Sequence, residues 1–553
     1  MFGSKNRISV VDKGNRMQRN LALLLVISAA GLISGCGGGG ASGSGSTVTP
    51  PVVTPPVSSS PVAWYGYAHD SQHTDLYPTL AQGGVAAQDL NRIVWETSID
   101  LNFDQNAAIH YGSPMITAAN TVLIGVKTAL GGSFQMEARS GATGNLIWTA
   151  PSNYILPAHD WIPSFGSTLT KLNRVYMPGA GGNVIYIDNP DGTTVSPQTL
   201  TFYGAATYAA SANGFNSSVF ISTPITADDK GNIFFGFVVT GTNPGGFPSG
   251  FARIGADGIG TYVAANAAVS QSGPFNPSMN AAPALSADMS TVYVSVSNVP
   301  ASSSVVPSGY LVALDSTTLA TKAMVALTDP STGTAAEMTD ESTASPMVGP
   351  DGDVYYGVIE AAVVPHVFSH NARGWLLHFN STLSTSKIPG SFGWDDTPSV
   401  VPASLVSSYT GTSSYLLMSK YNNYAGAGTG DGLNKMAILD PNATEADPIS
   451  RNTQVMKEIL TVLGPTTDTA NAGVFPGAVK EWCVNAAAID PNSHSIFINS
   501  EDGMLYRWDL HTGVITQKIW LDNGYGQAYT PTAIGPDGTV YSINNHTLIA
   551  VTQ

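Results

Sequence analysis

Residues 345–356 read SPMVGPDGDVYY, and this short phrase decides the fold. It opens with a small residue and Pro, continues as a short apolar run, and turns at Pro-Asp-Gly into a second run with aromatic side chains. A turn of this type between two apolar runs is typical of a β-hairpin. The phrase returns as TPITADDKGNIFF at residues 223–235 and as TPTAIGPDGTVY at residues 530–541. The chain therefore repeats one hairpin unit.

The phrase occurs eight times, with its Pro or the equivalent residue at positions 114, 163, 224, 283, 346, 398, 486 and 531. A single four-stranded sheet cannot bury both of its faces, so repeated units have to stack. Radial stacking into a propeller also protects the edge strands. We predict an all-β, eight-bladed β-propeller of four-stranded antiparallel blades over residues 62–553. We also expect a strand from Val62 to Tyr67 to close the ring in the last blade.

The composition supports a turn-rich β protein and excludes several other classes. Among 553 residues, 58 are Gly, 35 are Pro, and only 11% are charged. Such a chain is neither a coiled coil nor a charged disordered protein. The formal net charge of −16 argues against a phosphate-binding face, so we expect no nucleic acid partner.

A second phrase carries a family resemblance. Residues 138–148 read ARSGATGNLIW, similar to a pattern A-x-D-x-x-T-G-x-x-x-W with Ser140 in place of Asp. Partial copies stand at residues 313–318 (ALDSTT) and 508–513 (WDLHTG). Over about residues 62–553 the chain resembles the pyrroloquinoline-quinone-like β-propeller superfamily. The resemblance implies that this phrase closes the outer hairpin of a blade and docks a Trp between neighbouring blades.

Two functions follow from the resemblance. Some members are quinone-dependent dehydrogenases that hold the quinone under a vicinal Cys-Cys ring beside calcium, and others are cofactor-free scaffolds such as the propeller lipoprotein of outer-membrane barrel assembly. The two cysteines, Cys36 and Cys483, are not adjacent, and no local match to the calcium-and-base set is found. We therefore expect a non-catalytic scaffold without cofactor or metal. The alternative is a periplasmic oxidoreductase that uses pyrroloquinoline quinone with calcium on an alcohol or sugar.

The N-terminus is typical of a targeting segment. Five basic residues precede the apolar run from Leu21 to Ile33, which is short for a bilayer span but suits a signal-peptide core. Residues 32–36, LISGC, resemble a bacterial lipobox. We expect a signal peptide at 1–35, a lipid on Cys36 and a Gly/Ser/Pro-rich tether at 36–61. The alternative is an ordinary secretory signal with an incidental cysteine.

The resemblance to a lipoprotein also implies a location. Gly37 follows the cysteine at the position where an Asp would indicate retention in the inner membrane. This implies a lipid anchor in the outer membrane, facing the periplasm or the exterior. We separately expect the protein to be a monomer.

The residues just before each innermost strand should share one end of the channel, the mouth. The candidate binding residues there are acidic, aromatic or His side chains: His110, Asp160, Trp161, Glu341, Trp394, Asp395, Glu481 and Trp482. They predict an acidic, Trp-lined funnel for a cation, a sugar or a basic peptide, and hence a protein or glycan partner. The alternative is that these groups plug the channel with hydrogen bonds.

Three further features leave alternatives open. The long step from Pro398 to Ala486 indicates an insertion that is either functional or an ordinary surface loop. Cys483 is either a nucleophile or, as we favour, an inert buried thiol. The spacing of His366 and His370 suits a metal only on a helix, which Pro365 and the β-rich surroundings disfavour.

Overall fold

The computed structural model describes residues 63–103, 112–129, 132–157, 165–298, 307–338, 344–361, 368–482, 484–522 and 531–553. The proposed signal peptide, Cys36 and the proposed tether lie outside these residues. Within them the chain forms eight separate antiparallel sheets that follow one another along the sequence. The predicted eight-bladed β-propeller is confirmed.

Blades 1 to 4 are built from consecutive strands. Blade 1 comprises β2 (Met115–Ile116), β3 (Thr121–Lys127), β4 (Phe134–Ser140) and β5 (Leu146–Ser152). Blade 2 comprises β6 (Thr168–Leu169), β7 (Arg174–Pro178), β8 (Asn183–Asp188) and β9 (Gln198–Thr201). Blade 3 comprises a divided inner strand, β10 (Val219–Ile221) and β11 (Thr226–Ala227), then β12 (Ile233–Val239), β13 (Gly250–Ile254) and β14 (Gly260–Ala264). Blade 4 likewise comprises β15 (Phe275–Pro277) and β16 (Ala284–Leu285), then β17 (Thr291–Asn298), β18 (Gly309–Asp315) and β19 (Thr321–Ala326).

Blades 5 to 8 complete the ring. Blade 5 comprises β20 (Met347–Val348), β21 (Val354–Val358) and β22 (Trp375–Phe379). Blade 6 comprises β23 (Ser399–Pro402), β24 (Tyr415–Tyr421), β25 (Lys435–Ala446) and β26 (Gln454–Leu463). Blade 7 comprises β27 (Ala488–Asp490), β28 (Ser495–Asn499), β29 (Met504–Asp509) and β30 (Val514–Trp520). Blade 8 comprises β31 (Ala533–Ile534), β32 (Val540–Asn544), β33 (Thr547–Thr552) and, from the N-terminus, β1 (Arg92–Ser98).

Across the described ranges, helical structure is confined to short connections. The α-helices are α1 (Ala205–Ala210), α2 (Ala212–Asn216) and α3 (Ala265–Ala268). The 3₁₀ turns are Leu80–Gln82, Ala180–Gly182 and Ala403–Leu405. Blade 5 departs from the four-stranded pattern because its outermost segment makes only isolated bridges, Phe379 with Ser386 and Leu376 with Gly390.

The two repeated phrases act as predicted. Gly352, in the Pro-Asp-Gly turn of blade 5, has φ 87°, a left-handed conformation that glycine adopts without strain. In the second phrase, Asp509 accepts hydrogen bonds from the backbone N–H and the hydroxyl of Thr512 and so closes the outer hairpin of blade 7. Trp148 of blade 1 is buried and donates to the carbonyl of Pro190 in blade 2 at 2.9 Å. This Trp therefore docks between neighbouring blades.

The predicted closing strand at Val62–Tyr67 is wrong. The ring is closed by β1, which pairs antiparallel with β33 from Arg92 opposite Thr552 to Ser98 opposite Thr547. The alternating run RIVWETS suits an outer strand with one buried face, and its Trp95 is buried. The aromatic residues Trp64, Tyr65 and Tyr67 have a different role, because this part of the chain enters the centre of the ring.

The segment Trp64–Tyr77, here called the axial segment, crosses the inner ends of the blades. Trp64 and Ile116 of blade 1 exchange two backbone hydrogen bonds, of 2.8 and 3.0 Å. Carbonyls along the segment then accept from inner-strand amides of five further blades, at Leu169, Leu285, Val348, Val400 and Ile489. The hydroxyl of Tyr77 donates to Gly535 O in blade 8 at 2.9 Å. One segment therefore ties together seven of the eight blades.

Candidate functional site

The mouth face is the end at which the chain enters each innermost strand. It carries the loops between the second and third strands of each blade and the connections from one blade to the next. Of the candidate mouth residues, His110, Asp160, Trp161 and Glu341 lie outside the described residues, as do Cys483 and His366. Trp394, Asp395, Glu481 and Trp482 can be placed.

Trp482 belongs to the apolar core between blades 6 and 7. Its side chain is 1% exposed and its ring meets that of Tyr506 edge-on, with centroids 5.6 Å apart. The side-chain amide of Asn422 bonds both the N–H and the carbonyl of Trp482 at 3.1 Å. Glu481, one residue earlier, is half-buried. Trp482 therefore holds blades 6 and 7 together at this point of the mouth.

Trp394 and Asp395 line a crevice between blades 5 and 6. The other lining residues are Glu337, Met338, Gly357, Val358 and Ile359. Trp394 is half-buried, and the other six are buried. Asp395 has φ 50°, and its carbonyl accepts a hydrogen bond of 3.1 Å from the side chain of Asn485, which precedes the inner strand of blade 7. The structure therefore brings two of the predicted residues together and connects them to the next blade.

Buried ionisable residues concentrate around this crevice, although only 11% of the chain is charged. The members of this blade 5–6 charge cluster are Glu337, Glu360, Arg373, Asp395, Asp396 and Lys420. Each is at most 7% exposed. Buried ionisable groups cost free energy unless they are paired, so such a concentration marks a candidate functional site.

Two carboxylates of the cluster lie close to one another in contrasting surroundings. Glu360 accepts hydrogen bonds from the backbone N–H groups of His370 and of Ala372, the latter at 2.8 Å. Glu337 Oε2 is buried, and no described residue forms a hydrogen bond with it. Burial, and then the charge of Glu360, raise the pKa of Glu337 to about 7. Glu337 is therefore the unsatisfied group of the pair.

The remaining charges lie at the inner end of blade 6. Burial raises the pKa of Asp396 to about 7, against the opposing charge of Lys420 and a hydrogen bond of 2.7 Å from the Ser419 hydroxyl. The guanidinium of Arg373 lies 4.1 Å from the ring centroid of Tyr421, and its Nε and Nη2 are buried with no hydrogen-bond partner in the described part of the chain. A cation over an aromatic face is favourable, so Tyr421 supports the buried Arg373 charge.

His370, taken in the sequence as a weak metal candidate, has a structural environment. Its Nε2 lies 3.1 Å from Asp447 Oδ2 and its ring stacks on Trp375 at 4.0 Å. Although burial opposes the shift, the hydrogen bond from His370 contributes to lowering the pKa of Asp447 to about 2. These contacts join the β25–β26 hairpin of blade 6 to blade 5.

The axial segment brings its own polar groups to the axis below the mouth. The hydroxyl of Tyr67 bonds Thr397 Oγ1 at 2.9 Å and also Asn485. His73 Nδ1 lies 2.7 Å from the carbonyl of Pro346, and burial lowers the pKa of this His to about 4. Asp75 accepts from Ser399 at 2.8 Å, and burial raises its pKa well above the ordinary value. At this level the axis is filled by hydrogen-bonded protein.

The sequence analysis missed Glu337, Glu360, Arg373 and Lys420. Each is a charged residue without a charged neighbour directly beside it, as in Ala336-Glu337-Met338 and Ile359-Glu360-Ala361. None directly precedes an inner strand, so the repeat did not point to them. Isolated charges in a chain so poor in charge were the available signal.

Within the described ranges no three His, Cys, Asp or Glu side chains come together as metal ligands would. No helix in the same ranges combines the length and the apolar character that a membrane crossing needs.

Comparison with known proteins finds similarity in fold. No family model and no curated protein matches the chain. Among solved structures, a europium-containing methanol dehydrogenase has 10% identity and a TM-score of 0.49, covering 87% of this chain and 89% of its own. Quinohemoprotein alcohol dehydrogenase from Comamonas testosteroni has 11% identity and a TM-score of 0.48, covering 89% and 81%. BamB from Moraxella catarrhalis has 10% identity and a TM-score of 0.43, covering 84% and 99%. These likenesses concern the fold alone.

Proposed function

We propose that this chain is a non-catalytic envelope lipoprotein whose propeller is a binding platform for a protein partner. The observation that carries the proposal is the axial segment, which fills the centre of the ring with hydrogen-bonded protein. A partner therefore meets the outer faces of the propeller. Of these, the mouth face carries the long inter-strand loops, which is where binding surfaces of rigid scaffolds usually lie.

The mouth loops of blade 6 build a separate lobe. The loop 422–434 and the loop 464–480 are joined where Val479 N–H donates to Gly432 O at 3.0 Å and Asn434 Nδ2 donates to Val479 O at 2.9 Å. Leu433 and Val474, one on each loop, are 38% and 67% exposed. This blade-6 lobe accounts for most of the insertion predicted between residues 398 and 486.

The exposed side chains of the lobe favour a protein over a glycan. Leu433 and Val474 are aliphatic, and desolvation of such groups contributes to protein–protein association. Sugar rings instead stack on aromatic faces and need dense polar contacts. A glycan partner remains an outcome of the experiment below.

Photo-crosslinking tests the platform. A photo-reactive amino acid at Val474 should give a discrete protein adduct in cells, identified by mass spectrometry. The matched control is the same amino acid at Asp257, which is exposed in a turn on the opposite face. Leu433→Asp should weaken the adduct about tenfold, because a lost apolar contact costs on the order of 1–2 kcal/mol. No adduct at Val474, or the same adduct at Asp257, would contradict the proposal, and a glycan adduct would change the partner class.

The lipid anchor is part of the same proposal. It is supported by the charged start, the short apolar run and the lipobox-like residues 32–36. Cys36→Ser should abolish labelling by a palmitate analogue and release the chain into the soluble fraction, because a protein without its acyl chains loses its membrane affinity. Ser34→Thr keeps the cysteine and serves as the control. A Cys36→Ser protein that still sediments with membranes would refute the anchor and leave the platform standing.

The quinoprotein alternative does not fit the residues described. A planar quinone at the level of the inner strands would have to displace Tyr67 and His73, which are bonded to Thr397 and Pro346. We therefore derive no redox step for this chain. Binding of pyrroloquinoline quinone with calcium, followed by turnover of an alcohol or sugar, would restore that alternative.

A further inference from the structure

Glu337 is a buried carboxylate at the mouth that lacks full hydrogen bonding. Its side chain is 5% exposed, its Oε2 has no hydrogen-bond partner among the described residues, and the nearby Glu360 carries charge of the same sign. A buried carboxylate normally obtains several hydrogen bonds, as Glu360 does from two backbone N–H groups. A buried acid that is left unsatisfied in this way is a candidate ligand-binding group.

The chemistry around Glu337 Oε2 is that of a cation receptor. The crevice is lined by apolar groups of Met338, Val358 and Ile359, by the indole of Trp394, and by Asp395 at its other end. Acidic groups thus face Glu337 from two elements, Glu360 after β21 and Asp395 before β23. The positive groups nearby, Arg373 and Lys420, lie against the aromatic rings of Tyr421 and Phe392.

We propose that this crevice receives a lysine or arginine side chain of a basic segment of the protein partner, with Glu337 as its counter-ion. The inference rests on the proposed function and names the chemistry of the partner. The formal net charge of −16 gives the whole chain the electrostatic complement of a basic surface. The apolar crevice walls suit the aliphatic stem of such a side chain, which stays in contact with carbon while its charged end reaches an anion.

Trp394 controls access to Glu337. It is the one half-buried side chain of the lining, and the space between the lining groups is narrower than a water molecule. A cation reaches Glu337 by displacing the indole toward solvent, and it then lies against the ring, an arrangement that is itself attractive.

Ligand and proton compete for Glu337. Burial and the charge of Glu360 raise the pKa of Glu337 to about 7, so the group is largely protonated at pH 6 and largely ionised at pH 8. A bound ammonium or guanidinium favours the ionised form, and binding therefore releases a proton. Affinity for a basic peptide should accordingly rise between pH 6 and pH 8, whereas screening by salt should lower it.

The test is isothermal titration calorimetry, in which the protein is titrated with tetralysine whose two termini are blocked. The protein is the full chain carrying Cys36→Ser, at low salt. Glu337→Gln should weaken binding at least tenfold at pH 8 and reduce its dependence on pH, the part that remains coming from Asp396, whose pKa is also about 7. The matched control is Glu96→Gln, which removes the same charge from an exposed position on β1 and should change the affinity less than twofold.

A second variant keeps the test independent of folding defects at position 337. Trp394→Ala retains the carboxylate and removes the indole, and it should weaken tetralysine binding three- to tenfold. Equal affinities for Glu337→Gln and Glu96→Gln would overturn the proposal, since binding would then follow net charge alone. Failure of the wild-type chain to bind tetralysine would also overturn it. Crosslinking at Val474 would remain as evidence for a partner in either case, so the two proposals fail separately.

Discussion

A chain that begins at Pro78, and so lacks the axial segment, should lose its cooperative melting transition or melt at least about 10 °C lower. Trp64 and Tyr77 are at most 1% exposed, and the segment's carbonyls and amides bond the inner strands of six blades. Replacing one fully buried Trp by Ala already costs about 3–5 kcal/mol, a large share of the ~5–15 kcal/mol that holds a typical domain folded. Differential scanning calorimetry measures the loss.

The matched control is a chain that begins at Ala63 and retains the whole axial segment. It should melt within a few degrees of the full protein, because the Gly/Ser/Pro-rich segment that it lacks has too few large apolar residues to form part of a core. Trp64→Ala, in the full chain, should fall between the two. If the chain from Pro78 melts like the chain from Ala63, the segment merely lies in the ring and does not hold it.

The second large effect is expected at Lys127, whose ammonium lies 2.9 Å from Asp100 Oδ2 with both side chains 1% exposed. Lys127→Met should lower the free energy of unfolding by about 3–5 kcal/mol, because it leaves a buried carboxylate without its counter-ion. Urea denaturation monitored by fluorescence would give the value. Because Met retains most of the apolar volume of the Lys side chain, the loss of unfolding free energy can be attributed to removal of the ammonium charge.

Two companion variants distinguish the charge effect from general damage. Adding Asp100→Asn to Lys127→Met should recover most of the lost stability, since no uncompensated charge then remains. Lys171→Met breaks an exposed pair with Asp229, whose side chains are 46% and 47% exposed, and should cost less than about 1 kcal/mol. A double variant as unstable as Lys127→Met would show that packing, rather than charge, sets the cost.

The architecture was predictable because the features that determine it involve residues that are close together in the sequence. Pro-Asp-Gly turns, alternating strands and the Asp-x-x-Thr hairpin closure each depend on a few neighbouring residues, and each recurs. The closing strand was misassigned because both candidates are aromatic and lie before the first repeat. Only long-range pairing separates them: Trp95 in β1 meets blade 8, whereas Trp64 meets Ile116 in blade 1.

The candidate site was predictable only where it coincides with the repeat. Trp394 and Asp395 stand directly before an inner strand, so topology placed them at the mouth, and the crevice contains both. Glu337 and Glu360 come from other connections and meet them only through the packing of two blades. Trp482 satisfied the same positional rule but became core, because its neighbour across the blade interface is Tyr506. The position of a residue in the repeat therefore predicts the end of the propeller at which it lies. It does not predict whether the side chain is buried or exposed there.

The pairing of β1 with β33 also sets the timing of folding. Arg92 is opposite Thr552, so blade 8 cannot be completed until two segments far apart in the sequence have met. Forming contacts between residues so far apart in the sequence costs a large loop-closure entropy before the contacts stabilise the fold. Folding that depends on such contacts is therefore slow. Until then β33 and the free strand β1 are exposed templates for strand pairing with other chains. Ring closure is therefore a late event in folding, and the interval before it is when this protein most needs protection from aggregation.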